Sequence, residues 1–228
     1  MQIHNRSIDI DNQEKVSAVW AIPSDFCAGK TDAVILAHGA GNDMHHAFMS
    51  FFHEALAHAG FLSLKFNFLY MERGRKTPDR ATKLEQTYRT ILQHVRQDAV
   101  WQPSRLFIGG KSMGGRIASH LAAQGEGVNG LIFLGYPLHP ARKPEHLRSE
   151  HLTRITCPML FLQGTRDPLC DLTHLRNVLK PLQCPTQLYE IEGGDHSFKV
   201  PKRSGRTDEE VFKAAIEVII NWIRHTVQ

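Results

Sequence analysis

Short apolar runs alternate with helical stretches along most of this 228-residue chain. Five strand-and-helix repeats follow an opening pair of alternating strands at 7–11 and 16–22. Runs that are apolar throughout, such as 33–37, suit strands that are covered on both faces. The alternation therefore predicts an α/β fold, with a mostly parallel central sheet of about seven or eight strands and helices on both faces.

The spacing of these elements leaves no room for a large additional element. We expect one domain over residues 1–228, because α/β domains of this size are common. Residues 135–157 separate two of the apolar runs and hold at most one short helix, so we predict no large lid. A helix is predicted to start at a Thr77 hydroxyl cap, and the last helix at a capping box formed by Thr207 and Glu210.

A glycine-rich corner follows the apolar run that starts at Leu106. Residues 110–114 read Gly-Lys-Ser-Met-Gly, the G-x-S-x-G pattern of a sharp strand-to-helix turn. Such a turn raises the serine hydroxyl above the sheet, and glycine is needed two residues to each side because side chains would collide there. Ser112 is therefore the candidate nucleophile. Lys111 is predicted either to tune the site or to pair with an acid below the turn.

A serine hydroxyl is a poor nucleophile near neutral pH and needs a base, which an acid must orient. His196 is the best candidate base among the 14 histidines, since it follows a strand and two glycines and lies after Ser112. Asp167 ends the loop after the preceding strand and is the candidate acid. Asp171 is interpreted as a helix-cap residue. Asp195 adjoins His196, and neighbouring side chains rarely face each other.

Acyl transfer also needs two backbone N–H groups aimed at the oxygen that becomes negative. Met113 is one candidate, because it begins a helix whose dipole favours negative charge. The second should come from the loop after the 33–37 strand, which reads His-Gly-Ala-Gly from residue 38. Ala40 is the first choice in that loop and Gly41 the second.

Functional loops of parallel α/β sheets lie at the carboxyl ends of the strands. Polar and aromatic side chains in these loops are candidates to line a substrate pocket. They are His38, Asn67, Tyr70, Arg73, Tyr136 and His139.

Two other site types are excluded by spacing. A phosphate-binding loop ending at Ser112 would need glycine at position 105, where the chain has Arg105. His45, His46 and His53 lie at helical spacing, but no acid or cysteine completes a metal-binding set. We predict surface histidines there, and neither a metal nor a cofactor.

The composition argues against several partner classes. There are 27 basic and 23 acidic residues, and the basic runs are short and lack interleaved aromatics, so no nucleic-acid partner is predicted. No apolar stretch approaches membrane-spanning length, so no membrane partner is predicted either. The four cysteines are far apart and no signal peptide is evident, which indicates a cytoplasmic protein with free thiols. A monomer or small homo-oligomer is expected.

These motifs resemble those of a compact α/β-hydrolase over nearly the whole chain, from the loop at 38–41 through Ser112 and Asp167 to His196. Within that superfamily, the chain resembles a small branch without a lid, distantly similar to dienelactone hydrolases and to a hydrolase-like subunit of eukaryotic chromatin complexes. Three segments carry this likeness: 66–68, 110–116 and 136–138. Dienelactone hydrolases have cysteine at the corner, so their substrate class is not carried over to a chain with serine.

Two functions are compatible with this pattern. The first is a serine hydrolase with an open site, in which Ser112 attacks an ester or related acyl bond of a small substrate, His196 carries the proton and Asp167 orients the imidazole. Carboxylesters, thioesters, lactones and peptides all remain open as substrates. The alternative is a binding or scaffold protein with the hydrolase fold, whose triad is vestigial or shielded.

Overall fold

The computed structural model describes residues 1–225, in which eight strands form one sheet. The strands are β1 (Gln2–Asp9), β2 (Lys15–Ile22), β3 (Ala33–Ala37), β4 (Leu62–Phe66), β5 (Leu106–Lys111), β6 (Gly130–Leu134), β7 (Met159–Gly164) and β8 (Thr186–Ile191). Their order across the sheet is β1-β2-β4-β3-β5-β6-β7-β8. Neighbours from β4 to β8 pair in parallel, while β2 is antiparallel to β1 and β4. The predicted fold class is confirmed.

Helices cover both faces of the sheet. They are α1 (Ala47–His58), α2 (Leu69–Glu72), α3 (Ala81–Gln97), α4 (Met113–Ala123), α5 (Leu172–Leu179) and α6 (Asp208–His225). The apolar sides of α1 and α6 pack on one face, and those of α3, α4 and α5 on the other. Because both faces are covered, all five residues of β3 are buried, as its uninterrupted apolar sequence predicts.

The register of the central strands brings the ends of three of them together. Residues 33–37 of β3 pair with 106–110 of β5, and residues 107–111 of β5 pair with 130–134 of β6. The corner after β5 therefore lies between the loops that follow β3 and β6. This is the carboxyl edge of the parallel sheet, where functional loops of such folds collect.

Two helix starts were predicted, and one is wrong. The capping box of α6 is present: the Thr207 N–H donates to Glu210 Oε2 at 2.7 Å, and the Glu210 N–H donates to Thr207 Oγ1 at 3.2 Å. In contrast, α3 begins at Ala81 rather than near Thr77, and it has no side-chain cap. Asp79, expected in the first turn, instead forms an ion pair with Arg75 and stays outside the helix.

The connection between β6 and β7 contains one short 3₁₀ turn, Glu150–Arg154. The absence of a large lid, predicted from the length of this segment, is confirmed by the structure. The segment at 67–77, expected to be a loop throughout, contains α2. None of the helices within residues 1–225 is long and apolar enough to cross a lipid bilayer.

Candidate active site

The corner between β5 and α4 holds Ser112 in a strained conformation. Its backbone angles are φ 51° and ψ −114°, a region that costs a residue with a side chain about 1–3 kcal/mol. The Ser112 N–H donates to the Leu134 carbonyl at 3.2 Å, and the Ser112 carbonyl accepts from the Arg116 N–H at 3.0 Å. Hydrogen bonds to β6 and to the first turn of α4 therefore hold Ser112 in this strained conformation.

The two glycines of the corner are required by the neighbouring strand β3. A Cβ atom on Gly110 would lie 2.1 Å from the Ala37 carbonyl oxygen, and one on Gly114 would lie 2.3 Å from it. Gly110 also has a φ of 147°, which residues with side chains rarely adopt. The collision expected from the sequence is thus with the backbone of β3, which passes directly beside the corner.

The structure brings the three candidate catalytic side chains into one hydrogen-bonded chain. Ser112 Oγ lies 2.8 Å from His196 Nε2, and His196 Nδ1 lies 2.6 Å from Asp167 Oδ2. The Asp167 side chain is fully buried, while the His196 side chain is 22% exposed. A buried carboxylate at Nδ1 favours the tautomer with the proton on that nitrogen, which leaves Nε2 able to accept the serine proton.

The buried Asp167 carboxylate has further hydrogen-bond donors. Gln163 Nε2 donates to Oδ2 at 2.5 Å, and the Leu169 N–H donates to Oδ1 at 2.8 Å. Gln163 Oε1 in turn accepts from the Tyr136 N–H at 2.8 Å, so its side-chain orientation is determined. Sequence reasoning missed Gln163. The available signal was a polar side chain in an otherwise apolar strand, since buried polar groups need partners.

The loops that carry the acid and the base are tied together. A Cβ atom on Gly164 would lie 2.3 Å from the Gly194 carbonyl oxygen, so only glycine permits this close approach. The Arg166 N–H donates to the same Gly194 carbonyl at 2.8 Å, and Thr165 Oγ1 accepts from the Gly193 N–H at 2.8 Å. These contacts set the distance between the two loops and thereby between the candidate acid and base.

The two rejected aspartates have local roles. Asp171 caps α5 by accepting from the His174 N–H at 2.9 Å. Asp195 accepts from the N–H groups of Ser197 and Lys199 at 2.7 and 3.0 Å and so stabilises its own turn.

Lys111 reaches from the corner to the loop of the candidate base. Its side chain is buried, its ammonium group donates to the main-chain carbonyl of His196, and Nζ lies 5.6 Å from the centroid of the Phe48 ring. Burial lowers the pKa of Lys111 to about 8, although the charges of Asp167 and Asp195 oppose this shift. Within residues 1–225 Lys111 forms no ion pair, so the predicted pairing with an acid below the turn is not observed.

Ala40 and Met113, the first-choice oxyanion donors, line one cavity of about 300 Å³ together with Ser112. Among the hydrogen bonds of residues 1–225, neither the Ala40 N–H nor the Met113 N–H donates to another protein group. Burial raises the pKa of the Tyr70 hydroxyl to about 12, a shift that the Gly41 backbone opposes. Gly41 is not among the residues that line the cavity. The geometry thus favours Ala40 over Gly41.

We call this whole cavity the inner cavity. Its lining residues differ from those predicted for the substrate pocket. None of the six predicted pocket residues lines it. The lining residues besides Ala40, Ser112 and Met113 are Pro78, Asp79, Ala81, Leu84, Arg116, Pro137, Arg148 and Leu169.

His38 and Tyr70 lie behind the loop that carries Ala40. The His38 ring is fully buried; its Nδ1 donates to the Gly39 carbonyl at 2.8 Å and its Nε2 accepts from the Phe68 N–H at 3.1 Å. Burial lowers the pKa of His38 to about 4, so the ring is neutral near pH 7. The Tyr70 hydroxyl donates to the same Gly39 carbonyl at 3.5 Å. Both side chains therefore support this loop from below.

Asn67 and Arg73 also lie away from the inner cavity. Asn67 Oδ1 accepts from the Met44 N–H at 2.8 Å and ties the loop after β3 to the end of β4. Arg73 is exposed and forms an ion pair with Glu14 near β2.

Tyr136 and His139 are buried beneath the connection that follows β6. The Tyr136 hydroxyl donates to the Arg148 carbonyl at 3.0 Å, and His139 Nε2 accepts from the Asp171 N–H at 2.9 Å. Both side chains hold this connection in place rather than presenting a surface to substrate.

Residues 1–225 contain no group of three or more His, Cys, Asp or Glu side chains placed to hold a metal ion. His45 and His46 are exposed, as predicted. His53, expected at the surface, is buried and its Nδ1 lies 2.9 Å from Ser63 Oγ. The helical spacing did not distinguish the two cases, because His53 faces the sheet and His46 faces solvent.

Comparison with known proteins gives the same fold. A dienelactone hydrolase from Anabaena variabilis is similar with a TM-score of 0.77 and 21% identity, over 98% of this chain and 97% of that one. An alpha/beta serine hydrolase without a lid from Xanthomonas campestris has a TM-score of 0.74 and 19% identity, over 97% and 95% of the two chains. Esterase 2 of Thermogutta terrifontis has a TM-score of 0.75 and 17% identity, over 99% and 95%.

A sequence model described as an alpha/beta hydrolase domain matches residues 30–224, which span the corner, the loop of the acid and the loop of the base. The resemblance inferred from the corner motif and the order of the three site residues is therefore confirmed at the level of the family. The chain belongs to the alpha/beta-hydrolase domain family.

Proposed function

We propose that this protein is a serine hydrolase that cleaves an ester or related acyl bond of a small substrate through an acyl-enzyme on Ser112. The observation that carries the proposal is the hydrogen-bonded chain from Ser112 Oγ to His196 Nε2, at 2.8 Å, and from His196 Nδ1 to Asp167 Oδ2, at 2.6 Å. Family membership and the esterases of the same fold support a hydrolase in general.

In the proposed mechanism, His196 Nε2 takes the hydroxyl proton as Ser112 Oγ attacks the acyl carbon. The imidazolium that forms is stabilised by the Asp167 carboxylate. The proton then passes to the leaving alcohol, and the carbon–oxygen bond to that alcohol breaks. A water molecule, deprotonated by His196, releases the acid from Ser112 and regenerates the hydroxyl.

The oxygen that becomes negative during attack is proposed to accept hydrogen bonds from the N–H groups of Met113 and Ala40. The Met113 N–H lies at the amino end of α4, where the helix dipole adds positive potential. Ala40 is held by the network of His38, Tyr70 and Asn67 below its loop. Loss of one such donor reduces turnover by about 10²–10³-fold in comparable sites.

The dimensions of the site support small substrates. The inner cavity holds about 300 Å³ next to Ser112, and no lid formed by residues 1–225 covers it. Interfacial activation, which depends on a moving lid, is therefore not expected. Carboxylesters with short acyl chains are the first choice, followed by thioesters, lactones and peptides.

The test is turnover of p-nitrophenyl acetate together with labelling by a fluorophosphonate probe. Wild-type protein should hydrolyse the ester and be labelled at Ser112, and Ser112→Ala should abolish both. Asp167→Asn should lower kcat by about 10⁴-fold, because the imidazole would adopt the wrong tautomer. Ser104→Ala removes an exposed serine far from the corner and serves as the matched control.

A folded wild-type protein that neither turns over the ester nor reacts with the probe would contradict the proposal. Such a result, together with a partner captured equally by wild type and Ser112→Ala, would favour the binding or scaffold alternative.

A further inference from the structure

A second, larger cavity of about 600 Å³ adjoins the inner cavity. We call it the outer cavity. Arg116 and Arg148 line both cavities and so form the boundary between them. Arg154 lines the outer cavity only, with His120, His151 and Glu150 among its other wall residues. A substrate bound at Ser112 that extends past the inner cavity therefore meets arginine side chains.

Arg116 lies at a position where the helix dipole disfavours a cation. It is in the first turn of α4, whose amino end already carries the positive end of the helix dipole. It is partly buried, and burial lowers the pKa of its guanidinium, a shift that the nearby charge of Arg148 increases. Arg116 forms no ion pair with any carboxylate in residues 1–225. Its guanidinium donates to His120 Nε2 at 3.5 Å, and the charge of Glu85 opposes the lowering of its pKa.

Arg148 is held in place by its backbone, which leaves its side chain available. Its N–H donates to the Leu138 carbonyl at 2.7 Å, and its carbonyl accepts from the Tyr136 hydroxyl at 3.0 Å. Across the described part of the chain, the guanidinium groups of Arg148 and Arg154 make no hydrogen bond or ion pair. Arg116 and Arg148, two arginines without a carboxylate partner at the boundary of the cavities, form an arrangement that can bind an anion.

Within residues 1–225, none of the acids near these cavities forms an ion pair with Arg116, Arg148 or Arg154. Glu85 is engaged by His120 at 2.8 Å, and Asp79, in the wall of the inner cavity, pairs with Arg75. Glu150 lies in the wall of the outer cavity and is exposed to solvent. The wall of the outer cavity therefore contains three arginines and a single carboxylate, which is exposed to solvent.

We propose that the outer cavity binds a negatively charged group, a carboxylate or a phosphate, on the part of the substrate that extends beyond Ser112. This inference rests on the serine hydrolase proposed above and names its substrate class: esters whose acyl part carries an anion. The paired N–H donors of a guanidinium group match either a carboxylate or a phosphate. Arg116 approaches the cavity from helix α4, and Arg148 approaches it from the connection after β6.

The experiment compares two esters of equal size. Mono-p-nitrophenyl glutarate carries a terminal carboxylate, and p-nitrophenyl 5-methylhexanoate carries an isopropyl group in its place. Wild type should prefer the charged ester by about tenfold or more in kcat/KM, as expected for hydrogen bonds to a charged group. The preference should decline as ionic strength rises, because these cations are open to solvent.

Arginine variants locate the effect. In Arg116→Gln and Arg148→Gln the ratio of kcat/KM values for the two esters should fall to near one, and in Arg154→Gln, an exposed position less critical for folding, it should fall partly. Lys143→Gln removes the same charge from an exposed position of the same connection and should leave the ratio unchanged. Competition by free glutarate and by inorganic phosphate distinguishes the two anions.

A ratio near one in wild type, with the neutral ester hydrolysed and Ser112 labelled, would overturn the anion site and leave the hydrolase intact. If neither ester reacts, calorimetry measures the binding of monomethyl glutarate and so tests the anion site without turnover. Binding to Ser112→Ala that weakens about tenfold on adding Arg148→Gln would support the site, since a tenfold change is the expected size for one charged hydrogen bond. An absence of binding would overturn it.

Discussion

At the residue scale, side chains outside the hydrogen-bonded triad determine where its members lie. Gln163 orients the Asp167 carboxylate, and Lys111 holds the main-chain carbonyl of His196. Both act through another residue rather than through substrate. Lys111 is unusual because its ammonium group is buried in a protein interior, where a single charged group is normally unfavourable unless hydrogen-bonded.

Lys111→Met tests this positioning role. Methionine fills a similar volume and removes the cost of burying a charge, so we expect little loss of stability. The His196 carbonyl would lose its donor, so kcat for a small neutral ester should fall by about tenfold while KM changes little. Steady-state kinetics and thermal unfolding measure the two effects separately. Lys30→Met, at an exposed position, is the control, and unchanged kinetics in Lys111→Met would assign the residue to packing alone.

At the element scale, the site depends on the close approach of β3, β5 and α4. The corner lies between the loops after β3 and β6, and the backbone of Ala37 passes within 2.3 Å of the positions that Cβ atoms on Gly110 and Gly114 would occupy. A helix can begin at Met113, in this position, only because its first turn carries no side chain at Gly114.

Gly114→Ala is expected to lower the free energy of unfolding by about 3 kcal/mol, because the added methyl group must displace the backbone of β3. The neighbouring atom is a carbonyl oxygen of a central strand, which cannot move without disturbing the sheet. Urea unfolding measures the change. Gly127→Ala adds the same methyl group where no atom of the described residues lies within 4 Å, and it should alter stability by less than about 0.5 kcal/mol. Equal stability of both variants would contradict the packing argument.

The start of α3 is a helix boundary that the local capping sequence does not predict correctly. Thr77, followed by proline and an acid, has the local chemistry of a helix start. The helix begins at Ala81 instead, and Pro78 and Asp79 form part of the wall of the inner cavity. The ion pair of Asp79 with Arg75 and the packing around the cavity outweigh a capping preference of about 1 kcal/mol.

At the scale of the whole molecule, buried histidines make the stability of the fold depend on pH. His38 and His53 are at most 1% exposed, and burial lowers their pKa values to about 4 and about 3. In the unfolded chain both would titrate near the ordinary value of about 6.5. Below that pH the unfolded state binds more protons than the folded state, so acid favours unfolding.

The free energy of unfolding should therefore fall as pH decreases from about 6.5 towards the folded pKa values. Between pH 7 and pH 5 we expect a loss of roughly 2 kcal/mol for each of these two histidines. Urea unfolding at a series of pH values measures the slope. His53→Gln should reduce the slope, whereas His58→Gln, at an exposed position of α1, should not. An equal slope in wild type and His53→Gln would contradict the assignment.

Much of this protein follows from its sequence alone. The alternation of apolar runs and amphipathic helices determined the parallel sheet, because strand and helix periodicities are local properties of the chain. The positions of Ser112, Asp167 and His196, each directly after a strand, followed from the same pattern. Parallel strands bring their carboxyl ends to one edge, so residues distant in the chain could be expected to meet.

Tertiary structure alone decided which side chains surround the site. His38 and Tyr136 share this edge of the sheet with Arg116 and Arg148, yet the first two are buried supports and the last two face cavities. His38 and Tyr136 closely follow strands and are therefore pocket candidates, whereas nothing in the sequence marks Arg116, in the first turn of α4, or Arg148, in the connection after β6. The difference comes from side-chain direction and from the register between elements, which depend on packing across the whole molecule rather than on neighbouring residues.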